Sequence, residues 1–173
     1  MEHVLAEFAD LPDDDVVLDG GPCEVGVEST IIDCTGEHPR LLRPGAISAV
    51  DVARITGLPC TTGSTVRASG TLEAHYAPSA RVLIVDEASI AAVHSVADDA
   101  RIGLLALASI ATPPGVVRLS APADPDDYAR ALYAALREAD ALELATVLAV
   151  PPPTDGVGAA ILDRLTRAAA SAP

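Results

Sequence analysis

The sequence predicts an α/β protein: the end of one α/β domain, a linker, and a small second domain with a mostly parallel sheet. Three observations carry this. Residues 79–173 alternate short aliphatic runs with longer helical stretches, the pattern of strands joined by helical crossovers. Half of the 173 residues are hydrophobic but only 2% are aromatic, with no Trp, so Ala, Val, Leu and Ile do the packing. A core of small aliphatic residues suits helices laid on a parallel sheet. Before residue 60, by contrast, strands and turns are too few to close a core.

The elements follow in order. Glu2–Phe8 is a short helical start, and Asp13-Asp14-Asp15 an acidic turn. Val16–Leu18 is a short strand ended by Asp19-Gly20-Gly21-Pro22. Ser29–Cys34 is a β-branched strand, Gly36–Pro39 a turn and Arg40–Arg43 a further strand. Ser48 caps a helix that runs through Ile55 and stops near Gly57. So small a sheet leaves edges and apolar faces open, so residues 1–59 read as the end of a larger domain. Residues 60–78 are polar and aperiodic, a linker closed by His75-Tyr76-Ala77-Pro78. From residue 79 the order is strand Arg81–Asp86, helix Glu87–Asp98, strand Arg101–Leu107, strand Gly115–Leu119, helix Asp124–Ala141, strand Thr146–Val150 and helix Asp155–Ala169. The outline of residues 79–173 is Rossmann-like.

Charge and cysteines exclude several function classes. The formal net charge is −14, and all 11 basic residues are scattered Arg with no Lys. Sequence-independent nucleic-acid binding needs clustered cations to displace counterions, so no stable direct nucleic-acid binding is expected. A small anion remains open, because one or two aimed Arg can hold it. Cys23, Cys34 and Cys60 are odd in number and lack metal-ligand spacing, which reads as buried or incidental thiols in a reducing cytoplasm and no metal site. No apolar run approaches the ~20 residues of a membrane helix, and Met1-Glu2-His3-Val4 is unlike a signal peptide.

Most motif fragments have bland readings. Gly156-Val157-Gly158 opens the last helix after a strand, but the third position of a dinucleotide fingerprint is Ile161, so close helix packing is the better reading. Ser29 lies in Gly26-Val27-Glu28-Ser29-Thr30, which lacks the second glycine of a nucleophile elbow. No catalytic residue is assigned. The densest signal is Gly20 to Ile47. Its glycines permit close backbone approach, Ser29 and Thr30 place hydroxyls at a strand entrance, and Arg43 precedes a rigid Pro44-Gly45 turn. Hydroxyls beside a fixed guanidinium suit a carboxylate or a phosphate. A structural hairpin with a surface Arg fits the same composition.

The stretch GGPCEVGVESTIIDCTGEHPRLLRPGAIS resembles the end of the YrdC-like domain of Sua5-type threonylcarbamoyl-AMP synthases. ASGTLEAHYAP resembles that family's inter-domain linker, and GAAILDRL (158–165) the end of its small C-terminal domain. The resemblance implies residues 1–59 as the incomplete catalytic-domain end, 60–78 as linker and 79–173 as the C-terminal domain. It implies synthesis of threonylcarbamoyl-adenylate from L-threonine, bicarbonate and ATP, with pyrophosphate released and Mg2+ accompanying ATP, and with no bound organic cofactor. The product feeds a tRNA-modifying complex that forms N6-threonylcarbamoyladenosine at tRNA position 37, in the cytoplasm. On this resemblance Ser29 and Thr30 contact threonine, Arg43 meets ATP, and His75 and Tyr76 sit on a lid. Two features depart from the family. Ser69-Gly70-Thr71-Leu72-Glu73 stands where its linker often reads Pro-Gly-Met-Lys-Tyr, and its Lys-x-Arg and Ser-x-Asn motifs are absent. This chain alone is therefore expected to make no threonylcarbamoyl-AMP; pyrophosphate release dependent on threonine and bicarbonate would overturn that. The alternatives are a stand-alone C-terminal binding or regulatory module and an inert gene fragment.

Overall fold

The computed structural model describes residues 12, 14–63, 68–69, 77–93 and 101–170. The helix expected over Glu2–Phe8, residues 94–98 of the one expected over Glu87–Asp98, and His75 and Tyr76 lie outside the described residues; the second of these helices ends earlier than expected, at Ala91, with Ala92 as its C-cap.

Among the described residues, the first sheet has three strands in the order β1-β2-β3. β1 (Ile31–Asp33) runs antiparallel to β2 (Arg40–Arg43), and β2 runs parallel to β3 (Thr61–Thr62). The β1–β2 register shifts between Ile31 and Ile32, a bulge just after Ser29 and Thr30. Asp33 ties the hairpin together: its carboxylate accepts from the Thr35 amide and hydroxyl and from Arg40 at 2.5 Å. The Thr35 bonds first, then Arg40, hold this carboxyl below its ordinary value. Helix α1 (Ala49–Thr56) starts at a capping box in which Ser48 Oγ accepts from the Asp51 amide and Asp51 accepts from the Ser48 amide. It ends at Gly57, as its sequence predicts.

Two sequence expectations fail in this part. Val16–Leu18 pairs with no strand among the described residues, and both Val16 and Leu18 are exposed. β-propensity builds a strand only where a neighbour supplies hydrogen bonds. The start of the linker, expected as loop, pairs instead as β3, with the Thr61 amide donating to Pro39 O at 3.1 Å. Two β-branched Thr beside an open edge are enough for that.

Among the described residues, the second sheet has four strands, all parallel, in the order β4-β7-β5-β6. They are β4 (Arg81–Ile84), β5 (Ile102–Leu105), β6 (Val117–Ser120) and β7 (Thr146–Ala149). Side-chain alternation splits the core between the two faces. Val82, Leu105, Val147 and Ala149 pack with helices α3 (Pro125–Ala141) and α4 (Gly158–Ala170). Leu104, Ala106 and Val150 pack with Ile90 of the short helix α2 (Glu87–Ala91) and with Ile110. Asp124 caps α3 by accepting from the Asp127 amide, with Pro125 in the first turn, where its missing N–H costs nothing. The buried Tyr128 donates its hydroxyl to Leu105 O at 3.2 Å, tying α3 to the sheet.

Gly158 has the packing role read from sequence. A Cβ there would overlap the carbonyl of Pro153, so the loop after β7 can close onto the start of α4 only over glycine. Cys23 and Cys34 are exposed, contrary to a buried reading, and Cys60 is half-buried. No helix among the described residues is long and apolar enough to cross a membrane.

Candidate functional site

The site is built around Arg43, the last residue of β2 and 8% exposed. Its Nε donates to Ser29 O at 3.0 Å, one terminal nitrogen donates to Ser29 Oγ at 3.2 Å, and the other to Ser69 O at 3.0 Å. These bonds occupy three of the guanidinium's five N–H groups. Ser29 and Arg43, 14 positions apart, therefore face each other, and Ser69 of the linker closes on the same guanidinium. Ser29 Oγ acts as an acceptor here, so its own proton can go to a ligand.

Thr30 is used differently. Its hydroxyl donates to Ile47 O at 2.8 Å and accepts from the Ile47 amide at 3.1 Å. That double bond fixes the residue just before the Ser48 cap, so Thr30 joins the strand entrance to the start of α1. Its one proton is committed to Ile47, which leaves an acceptor lone pair for anything bound. The Pro44-Gly45 turn lies directly on this segment. A Cβ on Gly45 would overlap the Thr30 amide nitrogen and lie 2.7 Å from both Glu28 O and Thr30 Oγ1. Glycine is required by this close approach.

Sequence reasoning missed the residues behind this wall. Glu28 points away from Arg43 and into the second unit, the four-stranded sheet with its helices α3 and α4. It accepts from Arg164 Nε at 2.6 Å and from the Tyr133 hydroxyl at 2.9 Å. Arg164 also donates to Pro44 O at 3.1 Å and pairs with Asp163 at 2.5 Å. Its side chain is 3% exposed, against 24% for Glu28. Burial pushes the Glu28 carboxyl up, but the bonds from Arg164, from its own backbone and from Tyr133 outweigh this and hold it below its ordinary 4.5. Burial also works against the Arg164 charge, and Glu28 more than offsets it, so that guanidinium is raised. Burial first, then Glu28, pushes the Tyr133 phenol up. One signal could have revealed Arg164: with Ile161, Leu165 and Ala168 it completes the buried i, i+3, i+4, i+7 stripe of α4.

A separate cleft of about 670 Å³ opens beyond the carboxyl ends of β4, β5 and β7, where open parallel sheets commonly hold ligands. Its walls include Ile84, Leu107, Val150 and Pro152, and its charged residues are Asp86 and Glu87. Among the described residues its lining has carboxylates and no cation, which does not suit a phosphate. Among the described residues, no group of three or more His, Cys, Asp or Glu could hold a metal ion.

The comparisons with known proteins agree with this architecture. The family model described as "Threonylcarbamoyl-AMP synthase, C-terminal domain" matches residues 43–170, and one described as "Telomere recombination" matches residues 1–45. A threonylcarbamoyl-AMP synthase of Bacillus subtilis (strain 168) is 31% identical over 166 residues, covering 88% of this chain and 48% of the relative. One of Pyrococcus abyssi (strain GE5 / Orsay) is 31% identical over 169 residues, with the same shares. A solved structure, P. abyssi Sua5 complexed with L-threonine, superposes with a TM-score of 0.68 at 30% identity, covering 87% of this chain and 48% of that one. The chain thus spans about half the length of the curated relatives it matches. With a family model covering most of its length and both sheets in place, the chain belongs to the threonylcarbamoyl-AMP synthase family.

Proposed function

We propose that residues 20–47 furnish one wall of a pocket in which L-threonine, bicarbonate and ATP become threonylcarbamoyl-adenylate and pyrophosphate. The observation that carries this is the Ser29–Arg43 pair, a hydroxyl with a free proton beside a guanidinium fixed at a strand end. A relative of the same fold is described as complexed with L-threonine, which makes that amino acid the ligand to test first.

Each residue then has a role. Ser29 donates to threonine or its carbamoyl adduct, with Thr30 as an accepting neighbour. Arg43 neutralises phosphate charge on ATP, which enters with Mg2+ carried on its phosphates. For this it exchanges its bond to Ser69 O for one to the nucleotide, so that nucleotide entry and linker position are coupled. His75 and Tyr76 belong to the linker that closes over the mouth and keeps water from a labile carbamate and a mixed anhydride. Residues 1–59 act as the catalytic-domain end, 60–78 as the linker and 79–173 as the supporting domain. The adenylate passes to a tRNA-modifying complex in the cytoplasm. The net charge of −14 fits a protein that leaves tRNA binding to that complex.

Titrating the 15N-labelled chain with L-threonine tests the proposal. The Ser29 and Thr30 amides are expected to shift progressively with L-threonine and not with D-threonine, and Arg43 Nε with ATP. Shifts confined to other residues, or none at millimolar ligand, would refute it.

A further inference from the structure

The segment that carries Ser29 does not rest on its own sheet alone. Gly26 has φ +82°, and a Cβ there would overlap the α3 backbone at Ala129 and Arg130. Val27 packs against the core beneath α3 and α4. Arg130 donates to Glu24 O at 3.2 Å. Glu28 reaches Tyr133 on α3 and Arg164 on α4 at 2.9 and 2.6 Å. Arg164 then spans to Pro44 O, immediately after Arg43. Residues 24–28 are thus seated on the second unit by backbone contact, apolar burial and one charged triad, and the next residue is Ser29.

We infer that Arg164, Glu28 and Tyr133 form a positioning site through which the second unit sets the geometry of the Ser29–Arg43 wall. Arg164 is the centre of it. One planar guanidinium holds both edges of the wall, Glu28 before Ser29 and Pro44 after Arg43, and Asp163 fixes its orientation in turn. Arg167 holds Asp163 from the next turn at 2.9 Å, so the cation has a supported partner on either side. A guanidinium fork can do this, whereas an ammonium is a single point of charge. Ion pairs that are largely removed from water add little net stability over an apolar replacement, but removing one partner leaves the other uncompensated, so their best-attested use is to fix register. The register fixed here is that of the strand entrance against α3 and α4. The role as a positioning site rests on the reading of Ser29 and Arg43 as ligand contacts; the docking itself does not.

Two readouts on the full chain separate these. The first is amide exchange at Ile47, whose N–H donates to Thr30 Oγ1, with Val82 and Val147 of the second sheet as internal references. The second is the L-threonine dissociation constant from the Ser29 shift. Arg164→Gln and Glu28→Gln are each expected to speed Ile47 exchange at least tenfold and weaken threonine at least fivefold, with Val82 and Val147 unchanged. Arg164→Lys, which keeps the charge on Glu28 but loses the second arm to Pro44, is expected to fall between. Tyr133→Phe, which keeps the ion pair, gives a smaller change of the same sign and serves if the charge variants fold poorly. Unchanged Ile47 exchange in Arg164→Gln and Tyr133→Phe overturns the docking. Faster exchange with unaltered threonine affinity overturns the positioning role and leaves the docking standing. A parent chain that does not respond to threonine overturns the reading of Ser29, and the positioning role with it, while the exchange data still decide the docking.

Discussion

Gly45→Ala is expected to dismantle the Ser29–Arg43 wall while leaving the second sheet folded. The added Cβ meets the Thr30 amide nitrogen and Glu28 O, which are backbone atoms and cannot swing aside as a side chain could. The Pro44-Gly45 turn must therefore lift from residues 28–30. That lift breaks the Arg164 bond to Pro44 O and draws Arg43 away from Ser29. Overpacking of this kind costs about 1–3 kcal/mol, here confined to the first unit. The expected result is loss of the threonine-induced shift at Ser29, or at least a tenfold weaker dissociation constant, with the Val82 and Val147 amides unmoved. Threonine affinity equal to that of the parent chain would show that the turn does not hold the wall.

The second large effect lies in the core. Leu132 is fully buried on α3, between Ala129 and Leu136 on the same stripe. Leu132→Ala removes apolar contacts and leaves a cavity, which together cost about 2–5 kcal/mol. Urea unfolding followed by circular dichroism is expected to show a midpoint lowered by that free energy divided by the slope, with the slope itself unchanged. A loss below about 1 kcal/mol would mean that α3 is not packed on the sheet as described. The Ser29 response to threonine is expected to survive this variant below its unfolding transition, which separates damage to the core from damage to the wall.

Much of the architecture was legible because it is written in local patterns. The Ser48 cap and the stop at Gly57 carry their own signals, and α1 falls between them. Each strand of the second sheet is an aliphatic run set apart by helical stretches or turns, and all four form. The pairing of Ser29 with Arg43 followed from a motif, not from periodicity. What stayed hidden depends on partners far away in sequence. Glu28 and Arg164 are 136 positions apart, and one Glu among 25 acidic residues gives no sign of which Arg it will meet. Arg118 is a similar case: it donates to the carbonyls of Ala106, Leu107, Ile110 and Ser120, bracing the loop after β5, and nothing local marks it for that work. Val16–Leu18 shows the opposite error, since its strand-like composition meets no pairing edge among the described residues.

On the proposed function, one hydroxyl and one guanidinium, brought together at the mouth of the first sheet, receive L-threonine and its nucleotide partner. A crystal structure of the chain grown with L-threonine and ATP tests this most directly. The expected density places threonine within hydrogen-bonding distance of Ser29 Oγ, with Arg43 turned from Ser69 O toward the phosphates. Threonine seated instead in the acidic cleft beyond β4, β5 and β7, with the Arg43 bonds to Ser29 and Ser69 intact, would contradict it.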